Sequence, residues 1–228
     1  MENNIIKVEN NVIEQDMEFN GEILLSYKIE YPEFISIRFS NCLSRINKFY
    51  KDRALKFKRY YETELFGMAI QQYKEDLKEG FPIRMYGAAQ MYQITYLQSC
   101  IISLYYDQYE YTGGAHGNTI RSAQTWQLHK CGMLKLDELV HCPPDFKSYI
   151  LSAVNKQIEK EPDIYFQNYK DLASETFNKN SFYCTPQGIK VFYQQYDIAP
   201  YSSGIREFVI PYSNCVTNPE KMCYLFIP

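Results

Sequence analysis

The sequence lacks the features that would tie it to nucleic acid, to a bilayer or to a nucleotide. Among its 228 residues, 24 lysines and arginines stand against 27 acidic side chains, with no basic run. Nucleic-acid binding draws on clustered cations that release counterions, so no nucleic-acid partner is expected. No stretch approaches the roughly 18 uncharged apolar residues of a membrane helix. The opening MENNIIKVENNVIEQDMEFNGEILL has neither the basic start nor the apolar middle of a secretory signal. The chain as given is therefore expected in the cytoplasm, without a membrane span. Neither G-x-G-x-x-G nor a lysine-containing phosphate loop occurs, and no cofactor is expected. The seven cysteines include no C-x-x-C pair, and their odd number leaves at least one unpaired; reduced thiols packed as small apolar groups are the expectation.

Catalytic and metal patterns are equally scarce. His129 and Cys131 straddle one residue, and His141 and Cys142 are adjacent, whereas zinc ligands are usually paired across two to five residues; no metal site is expected. Asp197, Ser202, Ser203 and His116 contain the residue types of a hydrolytic triad, but YSSGI is not a nucleophile elbow. The pairs Asp137/Glu138 and Glu159/Glu161 fall on helix surfaces or ends, where solvated charge is the ordinary outcome.

What is present is a well-supplied core, with 46% hydrophobic residues, and 22 tyrosines. EILLSYKIEY, ending at Pro32, predicts an edge strand. Apolar residues at helical spacing predict helix over 41–58 and from Leu65 to Leu77, as one rod or two joined near Arg59 and stopped at Gly80. Two or three strands are expected between Ile83 and Lys130, with Cys100, Ile102, Leu104 and Tyr106 alternating against Ser103, Tyr105 and Asp107. LKLDELV and a segment begun by Pro143-Pro144 predict a short and a longer helix, and another helix is expected over 164–177. Thr185-Pro186-Gln187-Gly188 predicts a hairpin turn, and GIREFVIPY a last strand. The order predicts an α+β fold, an antiparallel sheet with helices packed on it, in two interlocked subdomains.

Two loops draw functional interest. In YEYTGGAHGN the small residues predict a reversal between strands, with Gly113 and Gly114 at positive φ and Gly117 relaxing the start of the next strand. The candidate ligand-binding residues are Tyr111, Thr112, Gly113, Gly114, Ala115, His116, Gly117 and Asn118, joined by Tyr196, Pro200, Tyr201 and Gly204 of a tyrosine-lined bend. Glycines let backbone amides approach a ligand, and tyrosine gives contact area at low rotamer cost. His116 fits a fixed recognition or structural group better than a catalyst, because no partner group is set by local spacing.

YEYTGGAHGN followed by LKLDELV and then by FYCTPQGIKVFYQQYDIAPYSSGIREFVIPYS resembles the domain family found in the lysozyme-sensing anti-sigma factor RsiV and beside the catalytic domain of the peptidoglycan deacetylase PdaC. KIEYPEF followed by INKFY is similar to the smaller domain that precedes it. The resemblance implies a smaller domain over 1–82 and a larger α+β domain over 83–228. It also implies a module without catalysis of its own, since the deacetylase chemistry belongs to a domain absent here. The expected partner is a lysozyme-like protein or a peptidoglycan fragment; the alternative is a hydrolase of cell-wall polymer centred on His116.

Overall fold

The computed structural model describes residues 6–224. Two β-sheets, one of six strands and one of three, are accompanied by five α-helices among the described residues. The fold class is α+β, as the order of elements predicts.

The first strand, β1 (Lys7–Phe19), forms a hairpin with β2 (Glu22–Ile35). Asn20 and Gly21 have φ of 54° and 85°, the two left-handed residues of a turn whose twist matches its flanking strands. β2 is thus not the edge strand expected from Pro32, because β1 pairs with it along one side and β3 (Tyr86–Gln98) pairs with it in parallel on the other. The parallel pairing ends at Ile29. Pro32, which has no N–H to offer, therefore lies beyond it.

Between β2 and the parallel β3 the chain runs through a helical rod, α1 (Ser40–Tyr60) and α2 (Phe66–Glu79), joined by one π-helical turn over Tyr61–Leu65. The rod ends at Gly80 with φ 76°, a left-handed stop that glycine takes without penalty. Its buried face, Ala54, Tyr61, Leu65, Ala69 and Tyr73, packs with Leu25, Tyr27 and Ile29 of β2 and Tyr86 and Ala88 of β3. Each such large apolar side chain contributes about 1.5–3 kcal/mol by leaving water.

The chain divides into two compact units, Met1–Tyr92 with Asp107–Thr119, and Gln93–Tyr106 with Ile120–Pro228. The strands β3, β4 (Ile101–Tyr111) and β5 (Asn118–Gln127) are the segments in which the chain passes from one unit to the other. The larger sheet has the order β1-β2-β3-β4-β5-β6, with β6 confined to Gly132–Met133. The simple alternation expected along β4 does not hold at its start: Ile101, Ile102, Ser103 and Leu104 are all fully buried. Ser103 tolerates this because its hydroxyl bonds with that of Thr125 at 2.7 Å and accepts the Cys184 N–H at 2.9 Å.

In the second unit, α3 (Leu136–Leu139), α4 (Phe146–Ile158) and α5 (Tyr169–Glu175) precede a three-stranded antiparallel sheet, β7 (Phe182–Thr185), β8 (Gly188–Tyr193) and β9 (Arg206–Pro211). Pro143 and Pro144 lie outside α4 rather than in its first turn, because Asp145 caps the helix by accepting the Ser148 N–H at 2.9 Å. The helix expected over 164–177 is shorter, a 3-10 turn at Pro162–Ile164 and then α5. The hairpin at Pro186-Gln187 is present, with Thr185 paired to Gly188. A Cβ on Gly188 would lie 2.4 Å from the Ile210 carbonyl oxygen.

The expectation of reduced thiols is overturned, since Cys42 and Cys131 are disulfide-bonded, as are the pairs Cys100–Cys223 and Cys142–Cys215. These two pairs hold a C-terminal segment with little regular structure. That segment is also fixed by His141 N–H to the Cys215 carbonyl at 2.8 Å, Thr217 N–H to the Leu139 carbonyl at 2.8 Å, and Tyr96 Oη to Asn218 Oδ1 at 3.1 Å. Cys184 is a free, buried thiol, and burial pushes its pKa up to about 12.

Candidate functional site

The predicted loops belong to different compact units and are built by different means. Tyr111 closes β4, Thr112 to Gly117 reverse the chain, and Asn118 opens β5. Gly113 has φ 83°, whereas Gly114 does not take the positive φ expected of it. A Cβ at Gly113 would also lie 2.9 Å from Cδ of Arg84. That arginine is held in turn by the buried Asp76, whose carboxylate also accepts from Gln72 Nε2 at 3.0 Å. Hydrogen bonding from Arg84 keeps the Asp76 carboxyl below the usual carboxylate range.

Gly117 does more than relax the next strand. It is buried, and a Cβ there would fall 2.3 Å from Cε2 of the Tyr109 ring, so a larger residue would require that ring to move. Thr112, Gly114, Ala115, His116 and Asn118 are exposed. His116 Nδ1 lies 3.1 Å from the carbonyl oxygen of Gly117, within its own turn.

The second loop joins β8 to β9. Its base is pinned by Asp197 Oδ2, which accepts the Gln194 N–H at 2.7 Å, and by the Ile198 carbonyl, which accepts the Phe166 N–H at 3.1 Å. Burial raises the Asp197 carboxyl above its ordinary pKa. Ile198 and Ala199 are buried, and Pro200 leads into a 3-10 turn at Tyr201–Ser203. Ser203 Oγ donates to the Ile164 carbonyl at 3.2 Å, and Arg206 Nη1 donates to the Ser203 carbonyl at 3.2 Å. Gly204 ends the turn at φ 64°, ψ −158°, a region that side-chain-bearing residues avoid. On this fixed frame Tyr196 is 54% exposed and its ring centroid lies 5.9 Å from that of Tyr201. The structure thus places Tyr196, Pro200, Tyr201 and Gly204 together on one loop.

A third grouping is not visible in the sequence. Glu207 of β9 is bonded at once by Arg121 of β5, by Lys190 Nζ of β8 at 2.8 Å, and by the Tyr183 hydroxyl of β7. The Arg121 guanidinium stacks 3.7 Å from the centroid of the Tyr105 ring. Burial pushes the Glu207 carboxyl up, but hydrogen bonds from Lys190 and Tyr183 and the charge of Arg121 outweigh it and hold the group below its usual range. The same burial, reinforced by the bond to Glu207, raises Tyr183 well above an ordinary phenol. The Gln194 side chain, at the foot of the loop, accepts the Arg121 N–H at 2.9 Å and donates to its carbonyl at 2.7 Å. Arg121 and Glu207 stand 86 positions apart, so no local spacing announces them.

Residues 20–119 match the model of the family described as "Deacetylase PdaC", and residues 139–213 that of "Protein of unknown function (DUF3298)". The chain is 19% identical over 177 residues to the peptidoglycan-N-acetylmuramic acid deacetylase PdaC of Bacillus subtilis (strain 168). That match covers 76% of this chain and 34% of the deacetylase, so the chain spans about a third of the curated relative's length. A DUF3298 family member from Bacteroides fragilis has the same fold at a TM-score of 0.71 and 19% identity, with 95% of this chain and 96% of that one covered. A second, from Pseudomonas aeruginosa PAO1, superposes at 0.61 and 15% identity, covering 96% and 97%.

Proposed function

We propose, from the premise that the chain is of the PdaC/DUF3298 type, with a PdaC-type domain followed by a DUF3298-type domain, that it is a non-enzymatic binding module. Its ligand is a cell-wall glycan or a lysozyme-like protein. The observation that carries the reading is the Tyr196–Tyr201 pair, two adjacent aromatic rings displayed on a loop whose backbone is fixed from below. Aromatic faces held rigid in this way supply contact area to sugar rings and protein surfaces without a large loss of side-chain freedom. The exposed β4–β5 loop is the second recognition element.

The groups that would be recruited for hydrolysis are engaged in loop architecture. Ser203 and Asp197 bond to backbone at the base of their loop, His116 faces its own turn, and Glu207 is surrounded by donors. A general base needs a free acceptor near its substrate. The disulfides favour an oxidising compartment over the cytoplasm expected from the sequence.

Titration calorimetry with lysozyme and with purified muropeptides tests the proposal. Binding heat is expected with one of them, lost in Tyr201→Ala and weakened in His116→Ala. No heat with either ligand, or turnover of peptidoglycan that His116→Ala abolishes, would replace this reading with none or with the hydrolase.

A further inference from the structure

Along α4 the residues Tyr149, Ser152, Ala153, Lys156, Gln157 and Lys160 recur at intervals of three and four, so they form one face of the helix and its C-terminal extension. It is a different face from Ile150, Val154 and Ile158, which are buried. With Val209 and Pro211 of β9 this face lines a groove of about 570 Å³. β9 is the last strand of its sheet, so one side of its backbone has no strand neighbour.

On that side the side-chain amide of Gln157 occupies both polar groups of a single residue. It accepts the Val209 N–H at 3.3 Å and donates to the Val209 carbonyl at 3.0 Å. A residue of an adjacent antiparallel strand makes the same pair of bonds. Lys156 and Lys160 are exposed at the groove, and its lining contains no carboxylate. The nearby Glu159 is paired with Lys170 at 3.1 Å. In a chain of net charge −3, two ammonium groups beside a strand edge held at Val209 by the Gln157 side chain are complementary to an acidic occupant.

We propose that this groove binds an extended acidic peptide segment of another protein, which adds beside β9 as a fourth strand. Its backbone takes the place of the Gln157 amide at Val209, and its carboxylates pair with Lys156 and Lys160. Ser152 and Ala153 present small side chains to the groove, and Pro211, lacking an N–H, marks where pairing ends. None of these residues belongs to the two loops described above, so this binding and the glycan or lysozyme reading stand or fall separately.

The test is calorimetry on the full chain with a synthetic peptide of alternating glutamate and valine, and with the same peptide carrying lysine for glutamate. The glutamate peptide is expected to bind, more weakly as salt is raised, with affinity reduced at least tenfold by Lys156→Glu combined with Lys160→Glu; the lysine peptide is expected to give no heat. Gln157→Ala vacates the Val209 edge and is expected to tighten binding. In nitrogen-edited NMR of the wild type the Val209 amide signal should move on titration, which keeps the test decisive if Gln157→Ala proves unstable. The proposal is overturned if the glutamate peptide fails to bind the folded chain, if charge reversal leaves binding unchanged, or if the Val209 amide stays still. Carboxylated muropeptides that shift Val209 where the peptide does not would assign the groove to a glycan and overturn it equally.

Discussion

The ring of Tyr109 lies against Gly117 so closely that a Cβ on the glycine would fall 2.3 Å from Cε2. The two residues face each other at the β4–β5 reversal and fix how the exposed part of that loop is presented. Gly117→Ala is expected to cost about 1–3 kcal/mol, the usual range for overpacking a filled site. Urea unfolding checks it. Removing the ring with Tyr109→Ala in the same chain should restore part of the loss, because the two substitutions share one contact.

Gly204 poses the opposite case. Nothing lies within 4 Å of a Cβ built there, so the cost of Gly204→Ala is set by backbone conformation alone, at about 1–3 kcal/mol. Because the Tyr201–Ser203 turn depends on that conformation, the variant should also lose heat on ligand titration while a distant surface substitution of equal thermal stability does not.

Acid should loosen the β5–β8–β9 cluster. The Glu207 carboxyl has a depressed pKa in the folded state, so its contribution is fully present above the unfolded value, near 4.3, and is lost as pH falls through the lower folded value. Stability measured between pH 6 and pH 3 should therefore drop more steeply in the wild type than in Glu207→Gln. The variant itself is expected to be less stable at neutral pH by about 2 kcal/mol, since it leaves Arg121 and Lys190 with a neutral partner.

Reduction should release the C-terminal segment. Cys100 and Cys223 are separated by 123 positions, and closing a loop of that order removes about 4–5 kcal/mol of unfolded-state entropy in the chain-entropy model. Cys100→Ser with Cys223→Ser is expected to lower the melting temperature markedly, measured by calorimetry, and to expose sites beyond Ser213 to protease.

The buried thiol should be inert until the chain unfolds. With its pKa raised to about 12 by burial, Cys184 has almost no thiolate at pH 8. Peptide mapping after iodoacetamide treatment should find it unmodified in the native protein and fully alkylated in urea. Rapid native labelling would show that β7 opens readily.

Several elements were legible because their signals are local. The rod from Ser40 to Glu79 follows from apolar residues three and four apart and from Gly80, and the β7–β8 hairpin from Pro186 and Gly188. The β4–β5 reversal follows from Gly113, although Gly114 proved to need no special φ. β1 is polar and only half-buried, so its periodicity is weak; the Asn20-Gly21 pair was the signal that would have revealed its hairpin.

The amino-acid sequence by itself determined the fold class, the helical rod, the reversals and the small residues that both candidate loops require, since each rests on a neighbour's dihedral preference or a fixed period. Tertiary structure alone decided that the Tyr109 ring lies over Gly117, that Glu207 collects Arg121, Lys190 and Tyr183, that Gln157 and Gln194 serve as strand neighbours, and which cysteines join. Those relations join residues according to the path of the folded backbone, and neither spacing nor composition records how close that path brings them.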